Sequence, residues 1–291
     1  MQRPCQDRLR SIEFDSPAGP WRLWLWTPAP DLSDAVSMLW ATEAQTVSFR
    51  ERVIPRETVE LMVNFGGPQT VHARTGGLQS QQFRRSWVSG LQTGCLEIES
   101  PTAAQLVAAS LRPAYAGPLL GVMGEEIADR VVDLDDVLPR QAGHLADRLA
   151  ECPSVVGRFL LFECFLRQRL GRVNHGPHPS VCRAVERLIS SGGRAPVRSL
   201  IEELGCSPRY LETRVRSQVG LPLKRLARLV RFSRAIEQIQ EMPRVDWTRI
   251  AGRCGYYDQP HFNRDFHQFT GVSPTEFLAS RDSSGQAMIV D

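Results

Sequence analysis

Residues 254–277 read CGYYDQPHFNRDFHQFTGVSPTEF. Phe262, Phe266 and Phe269 recur at the spacing that puts side chains on one face of a helix. Between them fall Gln259, His261, Asn263 and Arg264, with His267 and Gln268 further along. A helix face that only has to stay soluble needs charge. Amides, imidazoles and guanidinium groups with idle donors and acceptors are suited to reading another molecule. The stretch is also punctuated. Gly255 supplies a turn, Asp258 an N-cap, and Gly271 a close, and Ser273-Pro274-Thr275-Glu276 is a capping box that opens a short last helix.

The same plan occurs once before, at 204–220, LGCSPRYLETRVRSQVG. Gly205 is the turn, Ser207 the cap, Leu211 and Val215 the apolar pair spaced by four, and Gly220 the close, with an offset of 51 between the copies from the cap onward. A short helix precedes each copy, over Val197–Leu204 and over Asp246–Cys254. The second places Trp247, Ile250, Ala251 and Cys254 on one face. Helix, glycine turn, helix is the helix-turn-helix plan, present twice. Pro222 starts a long helix between them, through about Gln240, with Leu223, Leu226, Val230 and Ile236 available for packing.

In such a unit the second helix enters the major groove and its first turns face base edges. The apolar rows fix the outward sets. These are Arg209, Glu212, Thr213 and Arg216 in the first copy, and Gln259, His261, Asn263 and Arg264 in the second. Arg can fork to guanine, Asn and Gln to adenine, and Glu can accept from cytosine. The helix N-termini at Ser207 and Asp258 are placed to meet phosphates. Charge agrees. The whole chain carries +3, but residues 178–291 hold 17 Lys and Arg against 12 Asp and Glu, and residues 1–177 hold 18 against 20. Eight basic residues and one acid, Glu212, lie between 209 and 234. A basic half beside a mildly acidic half favours a polyanion partner.

The first half reads differently. WRLWLW, VSFRERVI, TVELMVNF, QTVHAR, FRRSWVSGL, CLEIES and AQLVAASL are short runs rich in β-formers, separated by GGP, TGG and ESP. Val59, Leu61, Val63 and Phe65 alternate with period two. An antiparallel sandwich or small barrel is expected there. From about 114 the period turns helical, over Asp133–Val137, His144–Leu149 and Val155–Leu170, the last with Phe159, Phe162, Phe165 and Leu166 inward. The expected layout is an α+β chain. A β-rich sensor or dimerisation domain spans 1–170, a linker GRVNHGPHP spans 171–179, an all-α DNA-binding domain spans 180–280, and a frayed tail spans 281–291.

Chain length of 291 residues and 42% hydrophobic composition suit two domains with real cores. No apolar run approaches the ~20 residues that span a bilayer, and MQRPCQDRLRSIEFD has no apolar signal region. The seven cysteines, 5, 95, 152, 164, 182, 206 and 254, form no C-x-x-C pair. A reduced, cytoplasmic setting is expected, with most of them as small core residues and with no metal and no cofactor.

Three other readings compete. A metal-dependent cupin enzyme fused to a DNA-binding module needs several converging His, whereas His72 stands alone among the strands and His144 and His175 fall on a helix and in the linker. An alkyl-acceptor repair protein needs a clustered reactive cysteine, and Cys5 has no cysteine neighbours in sequence. The third is an effector-independent architectural protein: Trp21, Trp24, Trp26, Trp40 and Trp87 are read either as lining a ligand cavity in the β domain or as core, and core is favoured. Alternation in WRLWLW forbids all of it from pointing inward, so part faces a helix or a second subunit.

The C-terminal third, about 179–280, resembles the DNA-binding domain of the AraC/XylS family of bacterial transcription regulators. IAGRCGYYDQPHFNRDFHQFTGVSPTEF carries the likeness most closely. The resemblance implies two helix-turn-helix units joined by a long helix, reading successive major-groove faces of double-stranded DNA. By position it implies base reading by Arg209, Glu212 and Thr213, then by Gln259, His261, Asn263 and Arg264. Pro260 departs from the pattern, since it cannot hydrogen-bond to a base edge through its ring. RVIPRETVELMVNFGGP, LRPAYAGPLLGV and IADRVVDLDDVL are similar to the domain that precedes this module in a subgroup. They imply a cupin-like fold that senses a small-molecule effector or mediates homodimerisation. RNA polymerase is the further partner the resemblance implies.

Overall fold

The computed structural model describes residues 7–16, 19–45, 48–72, 80–172, 176–242, 245–282, 284–285 and 287–290. Cys5 and His175 lie outside the described residues. Among them the first half is antiparallel β. One sheet has seven strands in the order β1-β2-β3-β10-β5-β8-β11. Its strands are β1 (Leu9–Ser16), β2 (Gly19–Trp26), β3 (Val36–Gln45), β5 (Val59–Asn64), β8 (Ser86–Ser89), β10 (Ala103–Leu111) and β11 (Val131–Asp133). The second has five strands in the order β12-β4-β9-β6-β7: β4 (Phe49–Val53), β6 (Gln69–His72), β7 (Gln81–Phe83), β9 (Leu96–Ser100) and β12 (Ala287–Val290).

The period-two pattern of β5 divides its side chains as expected. Val59, Leu61 and Val63 are buried in the main core. Glu60 turns the other way, where its carboxylate accepts from Trp40 Nε1 (3.0 Å), Ser110 Oγ (2.8 Å) and Thr58 Oγ1 (2.6 Å). Phe83, Trp87 and Leu106 form a smaller buried cluster with Met62, Trp40, Val71 and Val131 packed against it. The run FRRSWVSGL is not one strand. It is cut after Phe83, and β7 and β8 belong to different sheets. The Arg84-Arg85 pair sits at the cut, exposed on both side chains.

Helices follow: α1 (Pro113–Leu120), α2 (Gly124–Ile127), α3 (Leu134–Val137), α4 (Ala142–Glu151) and α5 (Val155–Arg172). Helix α5 buries Phe159, Phe162 and Leu166, with Phe165 half-buried. Phe159 stacks on Trp26 at 5.6 Å. It also buries Glu163, whose carboxylate is satisfied by Arg8, by Trp26 Nε1 (3.1 Å) and by the Ala29 N–H (2.8 Å). A buried carboxylate is tolerated when it is paired and hydrogen-bonded in this way. Alternation alone does not divide the tryptophans, since Trp24 and Trp26 lie on the same face of β2. Trp26 and Trp87 are buried, and Trp21, Trp24 and Trp40 keep partial exposure.

The second half is helical: α6 (Pro179–Ser190), α7 (Val197–Leu204), α8 (Pro208–Val219), α9 (Leu223–Glu241), α10 (Trp247–Arg253), α11 (Gln259–Thr270) and α12 (Pro274–Ser280). One buried apolar cluster runs through both halves, from Trp26 to Met288.

Two expectations change. The tail does not fray at 287–290. Strand β12 pairs with β4, Ala287 opposite Val53 and Ile289 opposite Glu51, because the apolar run AMIV can complete the open edge of the smaller sheet. The cysteines are core only in part: of the six described, Cys254 is buried, Cys95, Cys182 and Cys206 pack half-buried against the core, and Cys164 is exposed.

Candidate nucleic-acid interface

Each helix-turn-helix unit is built by the residues that punctuate it. Gly205 and Gly255 adopt φ of +59° and +79°, the left-handed backbone that lets the chain reverse between helices. Ser207 Oγ accepts from the Tyr210 N–H (3.2 Å), and Asp258 Oδ1 accepts from the His261 N–H (2.7 Å), so both second helices start capped.

In α8, Leu211, Val215 and Val219 face the core. That leaves Arg209, Thr213 and Arg216 exposed on the opposite side, with Glu212 half-buried on the flank. Tyr210 anchors the helix sideways. Its hydroxyl lies 3.1 Å from His178 Nε2, and the Arg214 guanidinium sits over its ring at 5.4 Å.

In α11, Phe262, Phe266 and Phe269 are buried, as are Asp265 and Thr270. Phe232 of α9 contacts Phe266 (5.5 Å) and Phe269 (4.8 Å), Phe277 of α12 contacts Phe266 (5.4 Å), and Trp247 of α10 stacks on Phe262 (6.0 Å). This ring cluster fixes the rotation of α11. Asn263, Arg264, His267 and Gln268 are exposed.

The other two candidates of that helix are held on its flanks. Gln259 Oε1 accepts from Thr248 Oγ1 of α10 (2.9 Å). His261 meets the Tyr256 ring edge-on at 5.4 Å, and its Nε2 is 4.0 Å from Asp265 Oδ1. Arg264 and Asn263 thus point into solvent, while Gln259 and His261 lie beside neighbours that orient them.

Arg228 of α9 has a structural task. It forks onto Asp265, Nη2 to Oδ1 at 2.7 Å and Nε to Oδ2 at 3.2 Å, and also donates to Gln268 Oε1. The hydrogen bonds to Asp265 push the Arg228 guanidinium above its usual range, against the opposing effect of burial. The pair ties α9 to α11 from inside. Burial pushes the Cys254 thiol up to about 11, partly offset by Arg234 and Arg194. It is therefore an inert core thiol.

The β domain holds the far ends of both exposed helices. Gln218, near the end of α8, donates through Nε2 to the Ala114 carbonyl of α1 (2.7 Å) and accepts at Oε1 from the His178 N–H (3.0 Å). Arg216 Nε is 4.0 Å from Glu125 Oε2 of α2. At the end of α11, the Phe269 carbonyl accepts from the Cys95 N–H (3.0 Å), with Cys95 Sγ at 3.3 Å. Helix C-termini leave carbonyls without intrahelical partners, and here the other domain supplies some. Nothing in the sequence pattern marks Gln218 or Cys95 for this role, since each is a single residue meeting a partner over a hundred positions away.

Among the described residues, no three His, Cys, Asp or Glu converge as metal ligands. His72 Nε2 instead lies 3.0 Å from Glu99 Oε2, and His144 is exposed. No helix among the described residues is long and apolar enough to cross a membrane.

Residues 200–280 match a family described as helix-turn-helix domain, and residues 26–133 match a domain of unknown function (DUF6597). No curated protein sequence matches the chain. Among solved structures, ToxT from Vibrio cholerae is similar over 83% of this chain and 98% of its own, at 13% identity and TM-score 0.49. The C-terminal domain of AraT, a response regulator from Geobacillus stearothermophilus, is similar over 36% of this chain and 88% of its own, at 28% identity and TM-score 0.34. The AraC-like transcriptional activator CuxR is similar over 77% and 81%, at 15% identity and TM-score 0.34. The helix-turn-helix match covers α8, α10 and α11 whole and α7 from Leu200 onward, so it spans both repeated units except the start of the first.

Proposed function

We propose how this chain, a DNA-binding transcription regulator with an AraC-type helix-turn-helix domain, reads its operator. Helix α8 enters one major groove with Arg209, Thr213 and Arg216, with Glu212 at its flank. Helix α11 enters the next with Asn263 and Arg264, flanked by Gln259 and His261. Ser207 and Asp258 set the helix N-termini against phosphates. The observation that carries this reading is the repetition itself. Two capped helices are each anchored by a buried apolar row and each leave Arg, Thr or Asn side chains in water on the opposite side.

Domain roles follow from it. Residues 1–170 act as the sensor or dimerisation domain, 180–280 as the reader, and 171–179 as the link. A small-molecule effector would act on the β domain, and support for coupling comes from Gln218 and Cys95, through which that domain grips the ends of α8 and α11. The partly exposed Trp21, Trp24 and Trp40 offer apolar area for an effector or a second copy. RNA polymerase enters this reading through the family resemblance alone.

The test is selection of bound duplexes from a randomised library by the unsubstituted chain and by Arg209→Ala and Arg264→Ala. Each substitution should relax preference at one position, in different halves of the site. Unchanged preference in both variants would refute the assignment of reading faces.

A further inference from the structure

The two helix-turn-helix units differ by one residue in the turn. In the first, a single residue, Cys206, separates Gly205 from the cap Ser207, whereas in the second two residues, Tyr256 and Tyr257, separate Gly255 from the cap Asp258. Tyr256 fills the inward place. It is 5% exposed, its ring lies 5.3 Å from Phe262, and the Arg231 guanidinium covers it at 5.6 Å. Cys206 fills the corresponding place in the first unit, half-buried against the same core. Tyr257 is the additional residue, and it is 93% exposed.

Single exposed apolar residues are common on protein surfaces, but this exposure stands apart. Met123 (47%), Leu160 (41%) and Tyr210 (41%) are the other large apolar side chains described as exposed. Tyr210, the tyrosine of the first unit, is held by His178 and Arg214. The backbone beneath Tyr257 is fixed even though its ring is in water. The Tyr256 N–H donates to the Ala251 carbonyl (2.9 Å), and the next residue after Tyr257, Asp258, accepts from the His261 N–H (2.7 Å). An unoccupied ring on a fixed base, next to the capped start of a helix that enters DNA, is pre-organised for contact.

We propose that Tyr257 is a DNA-backbone contact that seats α11. Its phenol O–H donates to a phosphate oxygen beside the groove, and its ring packs on the adjoining deoxyribose. Backbone contacts fix register and carry no base information. Tyr257 therefore adds affinity to every sequence alike. Being neutral, it releases no counterion and leaves the salt dependence unchanged. The inference rests on the reading that α11 enters a major groove.

The experiment measures dissociation constants of the full chain and of Tyr257→Ala and Tyr257→Phe on the selected operator and on a scrambled duplex, at several salt concentrations. Tyr257→Ala should weaken binding to both duplexes by about five- to tenfold, and Tyr257→Phe by about two- to fivefold, as a lost hydrogen bond does. The operator-to-scrambled ratio, the salt slope and the melting temperature should stay as they are. The inference is overturned if Tyr257→Ala binds as tightly as the parent chain, if it loses affinity for the operator alone, or if it melts lower. If the parent chain binds neither duplex at low salt, the groove reading of α11 fails and takes this contact with it. If the parent binds and Tyr257→Ala binds equally, the contact alone fails.

Discussion

Gly124 of α2 and Gly220 at the end of α8 meet backbone to backbone. A Cβ on Gly124 would lie 2.4 Å from the Gln218 carbonyl oxygen, and one on Gly220 would lie 2.5 Å from the Gly124 carbonyl oxygen. The β domain thus touches α8 without an intervening side chain, and there is no slack at that contact.

Gly124→Ala should therefore open the junction. Backbone atoms of Gln218 and Val219 would have to move, which costs roughly 1–3 kcal/mol as overpacking does. Gly205→Ala is the comparison: a Cβ there meets nothing within 4 Å, although φ is +59°, so only backbone strain of about 1 kcal/mol is expected. Thermal melts should rank Gly124→Ala below Gly205→Ala, and the reverse order would show that the junction yields easily.

Positions within a single turn of α11 should fail in different ways. Arg264→Ala or Asn263→Ala should lose roughly 1–3 kcal/mol of operator binding with preference relaxed at one base pair, and little stability. Phe266→Ala should unfold the reader by roughly 3–5 kcal/mol, since Phe266 is fully buried among Phe232, Phe262 and Phe277. Parallel denaturation and binding curves separate the two outcomes.

Asp265→Ala should strand the Arg228 guanidinium. The side chains are 5% and 29% exposed. The loss is expected at roughly 2–4 kcal/mol, below that of a fully buried pair because Arg228 keeps contact with water and with Gln268. Urea denaturation measures it, and a loss under ~0.5 kcal/mol would show that the pair contributes little.

The docked tail should titrate. Burial, and then the charge of Asp282, push the Glu51 carboxyl in β4 up to about 7, from an ordinary value of 4.5. The folded chain therefore holds this proton more tightly than the unfolded chain. The stability it contributes is complete below about pH 4.5 and is lost as pH rises through about 7. Glu51→Gln should flatten the fall in melting temperature between those values. An unaltered pH profile in that variant would remove Glu51 as its cause.

Much of the reader was legible in sequence because its signals are local. Ser207, Asp258, Gly205, Gly255, Gly271 and the Leu211–Val215 and Phe262–Phe266 pairs each act within one or two helical turns, and the structure places each in the expected role. The β domain was legible in kind, through runs such as Val59–Leu61–Val63. Its division into sheets was not. That division depends on pairings such as Val53 with Leu96 and Ala287, whose partners lie far off in sequence. The tail illustrates the same limit: AMIV is too short to announce a strand, and only the open edge of β4 makes it one. At the site, outward and inward faces followed from periodicity. The sideways leanings of Gln259 and His261 did not, because they depend on Thr248, Tyr256 and Asp265 after folding. Gln218 and Cys95 were silent for the same reason.

The most direct test of the central claim is hydroxyl-radical and methylation-protection footprinting of the purified chain on its own promoter at low ionic strength. Two protected major-groove patches are expected, about one helical turn or roughly 10 base pairs apart, one lost in Arg209→Ala and the other in Arg264→Ala. A promoter left unprotected, or a footprint that ignores both substitutions, would contradict the account.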